Sequence, residues 1–216
     1  MGNVALVFAG GDRPPPAALT DLPGHDLVIA ADSGLDHALA LGFAVDLVVG
    51  DLDSADPAAI DAAISSGAKV ERHAEAKDAT DLQLALLAAR DAGCARAIVI
   101  GGHGGRLDHF LANALLLASS EFAGLHVEAR IGDAQVVAVR DAQELHGKAG
   151  DLCSLLPVGG PALGVRTEGL RFPLYFETLA PGSTRGVSNE FLGAVARVAL
   201  DDGVLLAILP DSGTVH

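Results

Sequence analysis

Tryptophan is absent from this chain of 216 residues, tyrosine occurs once and phenylalanine seven times. Lysine and arginine total 14 against 28 aspartates and glutamates, leaving a formal net charge of −14. A nucleic-acid surface needs basic clusters and usually stacking rings, so both shortages argue against a nucleic-acid or other polyanionic partner. Cysteine is scarce as well. Cys94 and Cys153 lie far apart without metal-ligand spacing, which implies no disulfide framework and reads as two small buried hydrophobes in a reducing compartment. Every apolar stretch is interrupted well short of membrane-spanning length. The start, Met1 to Phe8, has neither the basic head nor the long apolar core of an export signal. A soluble cytoplasmic protein with no membrane partner is expected.

What the chain does have is apolar residues, half of the total, enough to bury a core without staples. They alternate with polar turns in a regular way. The run Leu47-Val48-Val49 breaks at Gly50 and delivers Asp51 and Asp53, which fall on one side if the backbone stays extended. Val4 to Phe8 ends in Gly10-Gly11-Asp12, and Leu27 to Ala31 ends in Asp32-Ser33-Gly34. Ala97 to Ile100 runs into Gly101-Gly102-His103-Gly104-Gly105-Arg106-Leu107-Asp108-His109. Helices follow these turns: Asp56-Pro57 caps one, Thr80 with Gln83 fits a capping box for another, and Leu111, Leu115 and Ala118 form the core side of a third. Strand, turn and helix repeating in this order predict a mainly parallel sheet flanked by helices over residues 1–132.

Beyond Gly132 the helical period fades. Short segments bounded by Gly, Pro or Asp predict a smaller all-β sandwich over residues 133–216, with Asp201-Asp202-Gly203 as a hairpin turn. A domain that small exposes much apolar surface, and a second copy of the chain is the simplest cover.

In a parallel sheet the acidic turns share one edge, where α/β proteins collect their ligands. Many carboxylates with few cations repel one another unless a bound cation neutralises them. An all-oxygen donor set suits Mg²⁺, which is held by carboxylates together with substrate phosphates. An Mg²⁺-nucleotide enzyme is therefore expected. The Gly101 to Gly105 turn opening a helix suits a phosphate, with Arg106 as the nearby cation, although it spells neither a Walker A loop nor the dinucleotide fingerprint. A solvated surface turn explains the same residues, and spacing alone leaves the two readings open. Gly186-Val187-Ser188-Asn189-Glu190-Phe191 reads equally as a simple loop or a binding loop.

Taken together, the motifs resemble one family. Ala31-Asp32-Ser33-Gly34, Gly50-Asp51-Leu52-Asp53-Ser54, Lys77-Asp78-Ala79-Thr80-Asp81, Gly104 to His109 with Asn113, Ser154 to Pro157, Gly169 to Leu174 and Ser188 to Phe191 follow the order found in thiamine pyrophosphokinases. The resemblance implies transfer of pyrophosphate from ATP to the hydroxyethyl group of thiamine, giving thiamine diphosphate and AMP. It implies a homodimer whose active site is shared between subunits. It also assigns residues. Asp51, Asp53 and Asp81 match the Mg²⁺ ligands, and with Asp108 they form the catalytic set; Asp81 or Asp108 is the candidate general base if there is one. Asp32, Ser33, Gly34, Lys77, Asp78, Thr80, Gly105, Arg106 and His109 match the nucleotide and phosphoryl site, and Ser188 and Asn189 match the loop that closes over thiamine from the partner subunit. Two departures stand out. Ser33 replaces a frequent glycine, which questions a positive φ there, and Phe191 lies near a tryptophan that eukaryotic members place against thiamine. A related pyrophosphokinase acting on another hydroxymethyl heterocycle such as a pterin, or a non-catalytic nucleotide or thiamine-binding protein, are the alternatives.

Overall fold

A computed structural model describes residues 2–74 and 78–210. They divide into two compact units, one running to Leu116 and including Gly124–Gly132, the other formed by Leu117–Ala123 and the chain from Asp133 onward.

The first unit is built on strands Val4–Ala9 (β1), Leu27–Ala31 (β2), Leu47–Gly50 (β3), Lys69–Arg72 (β4), Arg96–Gly101 (β5) and His126–Ile131 (β6). Their order is β6-β5-β1-β2-β3-β4, and each neighbouring pair is parallel. β1, β2, β3 and β5 are near-continuous apolar runs because helices cover both faces of a parallel sheet. Helices Gly34–Ala40 (α1) and Pro57–Ser65 (α2) bury Leu35, Ala38, Ile60 and Ala63 against Leu6, Phe8, Val28, Ala30, Ile98 and Ile100. Helix Asp81–Asp91 (α3) buries Leu82, Ala85, Leu86 and Ala89 and packs on β1, β2 and β3. Two predicted caps are present: Asp56 accepts from Ala58 N–H at 2.9 Å with Pro57 opening α2, and Thr80 Oγ1 accepts from Gln83 N–H at 3.2 Å at the start of α3.

Helix Leu107–Leu116 (α4) departs from expectation. It buries none of its residues, and Leu107, Leu111 and Leu115 are 70%, 50% and 55% exposed, so its apolar stripe faces outward. Ala118 is buried but lies past the helix end.

The second unit is a β-sandwich. Ala134–Val139 (β7), Leu152–Pro157 (β9), Asn189–Glu190 (β12) and Leu205–Leu209 (β14) form one antiparallel sheet in the order β12-β9-β14-β7. Ala142–His146 (β8), Ala162–Glu168 (β10), Glu177–Leu179 (β11) and Val195–Ala199 (β13) form the other, ordered β11-β10-β13-β8. Alternate residues of both, among them Val137, Leu155, Val165, Val198 and Leu205, share one core with Phe191, Leu170 and Cys153. The expected hairpin at Asp201-Asp202-Gly203 is not one. β13 pairs with β8 and β10 whereas β14 pairs with β7 and β9, so this turn carries the chain from one sheet to the other. The fold is thus an α/β unit on a parallel sheet with an antiparallel sandwich after it.

Candidate active site

β2 and β3 are parallel neighbours, so Asp32 and Asp51, each just past a strand end, arrive at the same sheet edge. The backbone between them is closed by Asp32 N–H donating to Val49 O at 2.9 Å. Gly50 is required here: at φ +149° a side chain is strained, and a Cβ would stand 3.1 Å from an Asp81 carboxylate oxygen and 3.3 Å from Asp32 Cβ. Its missing side chain is what lets the acids close in.

The pairing of Asp51 and Asp53 arises differently from the extended-strand expectation. Leu52, buried, turns left-handed at φ +63°, and Asp53 N–H then donates back to Asp51 Oδ1 at 3.3 Å while Ser54 Oγ donates to Asp53 Oδ1 at 2.9 Å. Left-handed backbone costs a non-glycine residue about 1–2 kcal/mol. Burial of the Leu52 side chain offsets it, and such strain gathers at functional sites. The question raised by Ser33 is resolved in the same way. Ser33 is ordinary helical backbone at φ −61°, and the positive angle, +47°, belongs to Asp32, a residue type that tolerates it. Gly34 packs on the Phe8 carbonyl too closely for a Cβ.

One carboxylate oxygen from each of Asp32, Asp51 and Asp53 lies within 4.8 Å of the others. Asp81, the first residue of α3, adds its charge beside Gly50, where the helix dipole favours an anion. Asp32 feels all of this. Burial is the largest influence raising its pKa, the Ser33 N–H lowers it, and the charges of Asp81, Asp51 and Asp53 raise it further. Its Oδ1 is buried with no hydrogen-bond partner. A residue with a buried, partnerless carboxylate oxygen, clustered with Asp51 and Asp53 and feeling the charge of Asp81, fits a divalent cation with oxygen ligands. Asp32 thus joins Asp51 and Asp53 in the geometric cluster, a place that the resemblance does not assign to it.

A second group of turns lies where the chain order reverses, between β1 and β5. Gly102 N–H donates to Gly10 O at 3.0 Å and Asp12 N–H to His103 O at 2.6 Å, while His37 Nε2 on α1 sits 3.0 Å from Gly11 O. Such a switch point is the usual ligand crevice of an open α/β sheet. From sequence the Gly10-Gly11-Asp12 turn reads only as a strand break, and its position directly after the first strand is the signal for a role in the crevice.

Arg106, Asp108 and His109 stand exposed at the start of α4, with Gly105 before them at φ +67°. Arg106 and Asp108 hold each other through Nε to Oδ1 at 3.2 Å and Nη2 to Oδ2 at 2.5 Å, and the guanidinium brings Asp108 down to about 2. Asp78 is exposed, and the Thr80 hydroxyl serves as the α3 cap. Lys77 lies outside the described residues.

In the sandwich unit Ser188 is exposed at φ +56°, its N–H donating to Ser154 Oγ at 3.0 Å. Asn189 is buried, and its amide is bonded to Phe172 and Glu190 backbone. Phe191 is only 2% exposed and belongs to the sandwich core, so its ring presents no open face to a ligand. Phe172, on the segment that Asn189 holds, is 49% exposed.

A parallel α/β unit that gathers carboxylates on its carboxyl edge, joined in sequence to a β-sandwich unit with an exposed aromatic turn, defines a two-part class of protein. The model of the thiamin pyrophosphokinase catalytic domain matches residues 22–129, and that of the thiamin pyrophosphokinase vitamin B1 binding domain matches residues 139–205. The chain belongs to the thiamin pyrophosphokinase family. It is similar to thiamine pyrophosphokinase 1 of Oryza sativa subsp. japonica, 25% identical over 174 residues, covering 76% of this chain and 65% of that one. The corresponding values for thiamine pyrophosphokinase 1 of Arabidopsis thaliana are 27% over 183 residues, 76% and 64%, so the chain spans a little under two thirds of either plant relative. The crystal structure of thiamine pyrophosphokinase from Bacillus subtilis superposes with a TM-score of 0.83 at 25% identity, covering 97% of this chain and 99% of that one.

Proposed function

We propose that this protein transfers pyrophosphate from ATP to the hydroxyethyl group of thiamine, yielding thiamine diphosphate and AMP. The observation that carries the reading is the intact acidic cluster of Asp32, Asp51 and Asp53 inside a chain that matches both family domains in order. Asp51, Asp53 and Asp81, joined by Asp32, would hold Mg²⁺, which when bound would neutralise phosphate oxygens and leave the phosphorus more open to attack.

The chain's own residues supply position and proton handling. The thiamine hydroxyl oxygen bonds to the β-phosphorus of ATP as the bond from that phosphorus to the α,β-bridging oxygen breaks, and AMP leaves. A general base is not essential; the hydroxyl proton passes to Asp81 where that carboxylate is not engaged by the metal, and to solvent otherwise. Asp108, held near 2 by Arg106, is a weak base and serves instead to orient the Arg106 guanidinium toward phosphate. Backbone N–H groups of the Gly101 to Gly105 turn, with Ser33, Gly34, Asp78, Thr80 and His109 at neighbouring turns, shape the nucleotide site. In the sandwich unit, Ser188 and the Phe172 ring offer a hydroxyl and an aromatic face to thiamine, an arrangement suited to a cationic heterocycle.

A homodimer in the cytoplasm completes the proposal. The exposed Leu107, Leu111 and Leu115 stripe on α4 supports a second copy as its cover. The deciding experiment is product analysis by mass spectrometry after incubation with ATP, Mg²⁺ and thiamine. Thiamine diphosphate and AMP in equal amounts are expected. Thiamine monophosphate with ADP, or pyrophosphorylation of a hydroxymethylpterin in place of thiamine, would overturn the assignment.

A further inference from the structure

Asn189 is 4% exposed although the turn around it is polar and faces solvent. Its Oδ1 accepts from the Phe172 and Glu190 N–H groups, both at 2.9 Å, and its Nδ2 donates to the Phe172 carbonyl at 2.7 Å. An amide bonded to both the N–H and the C=O of one residue 17 positions away acts as a strand partner made from a side chain, pinning the backbone on either side of Phe172. The seam continues in the main chain, where Arg171 N–H donates to Glu190 O at 2.8 Å and Leu192 N–H to Gly169 O at 2.9 Å. Outside it, Arg171 Nη1 meets Glu190 Oε2 at 2.7 Å, and the guanidinium carbon lies 5.6 Å from the Phe172 ring centroid.

Both acceptor positions of the Asn189 oxygen are used, and the burial of its amide leaves little for a ligand to reach. The half-exposed Phe172 ring is what this seam presents. We infer that Asn189 is a positioning residue, which governs thiamine affinity by fixing the Phe172 ring rather than by touching the substrate. A ring whose backbone is already fixed loses less freedom when a ligand stacks on it, so loosening the seam weakens binding before it slows chemistry. The inference rests on the proposed use of thiamine as substrate.

Steady-state kinetics on Asn189→Ala, Phe172→Ala and the double variant, each with a thermal melt, provide the test. Either single substitution is expected to raise KM for thiamine about five- to tenfold, with a much smaller change in kcat and in KM for ATP. The double variant is expected to be no worse than Phe172→Ala alone. Multiplying effects would mean that Asn189 contacts the substrate independently, and a lowered melting temperature with wild-type KM would mean that it is merely structural; either overturns the inference. Should Asn189→Ala fail to fold, Arg171→Met loosens the seam from a side chain that is 58% exposed. It is expected to raise KM for thiamine by a smaller factor that vanishes in the Phe172→Ala background, and unchanged KM refutes the seam. If the wild-type protein turns thiamine over but Phe172→Ala keeps its KM, the inference fails while the proposed reaction stands. If the wild-type protein makes no thiamine diphosphate, the reaction itself is wrong.

Discussion

Replacing Asp32 by asparagine should make the metal-free protein more stable and the enzyme inactive. The Asp32 Oδ1 is buried without a partner, and burial together with the charges of Asp81, Asp51 and Asp53 raises its pKa. The sign follows from linkage. A carboxyl whose folded pKa lies above the unfolded value favours folding most when protonated, so stability falls as pH rises from the unfolded value through the folded one. At neutral pH the ionised group is therefore a net cost. Asparagine removes the charge and brings an amide N–H that can donate to the neighbouring carboxylates, and satisfying a buried polar group in this way is worth about 1–3 kcal/mol; a chain of this size shifts by roughly 3 °C per kcal/mol. Asparagine also accepts the left-handed backbone, at φ +47° here, so strain does not mask the effect. Thermal melts at pH 7.5 after chelation should place Asp32→Asn about 3–9 °C above wild type. The gap should close as pH falls toward the ordinary carboxylate range. Saturating Mg²⁺ should raise wild type by up to about 2.7 kcal/mol at a hundred times its Kd, and the variant by less. If chelated Asp32→Asn melts below wild type at pH 7.5, the carboxylate is held by the fold, and the cluster has no need of a cation.

Asp51→Asn and Asp53→Asn should each abolish turnover with thiamine and Mg-ATP while circular dichroism shows an intact fold; near-normal turnover in both would remove the metal assignment. The Arg96–Glu128 pair, Nη2 to Oε1 at 2.7 Å, should respond asymmetrically, because the side chains are 36% and 2% exposed. In urea unfolding, Arg96→Met strands a buried carboxylate and should cost about 3–5 kcal/mol, whereas Glu128→Gln leaves a cation that reaches water and should cost about 1.5–3 kcal/mol. If the α4 stripe is the proposed homodimer contact, Leu111→Glu with Leu115→Glu should give a monomer in light scattering with only a small loss of stability in a thermal melt, since both side chains are about half exposed. Cys153, its thiol pushed up to about 12 by burial, should resist maleimide in the native protein and react once unfolded.

The elements that were legible in the sequence are those fixed by local chemistry. β1, β2, β3 and β5 were readable because strands buried on both faces are continuous apolar runs, and α2 and α3 because Asp56 and Thr80 satisfy N–H groups that every helix start leaves open. Where a decision depends on distant partners, local signals misled. Asp201-Asp202-Gly203 has hairpin chemistry, yet the sheet that each flanking strand joins is settled by β7, β8, β9 and β10, far away in sequence. The leucines of α4 have helical spacing, and periodicity says that a face wants cover without saying whether the same chain provides it.

The acidic site shows the same division at finer scale. That Asp32, Asp51 and Asp53 meet follows from strand ends sharing an edge, which composition and alternation imply. How they meet does not. Leucine gives no hint of left-handed backbone, yet Leu52 adopts it with its side chain buried in the core beneath the turn. Asp51 and Asp53 do come together as an extended strand would bring them, but through a left-handed turn at Leu52. The same holds for Asn189, whose residue type suited a ligand contact equally well. Only its burial and its bonds, two to the Phe172 backbone and one to the Glu190 N–H, show that most of the amide is taken up by the fold, so the sequence could mark the loop but not say which of its residues faces outward. Motif residues whose polar atoms are consumed by the fold should then act on KM through a neighbour, and those with orphaned atoms, as at Asp32, should act on the reaction directly.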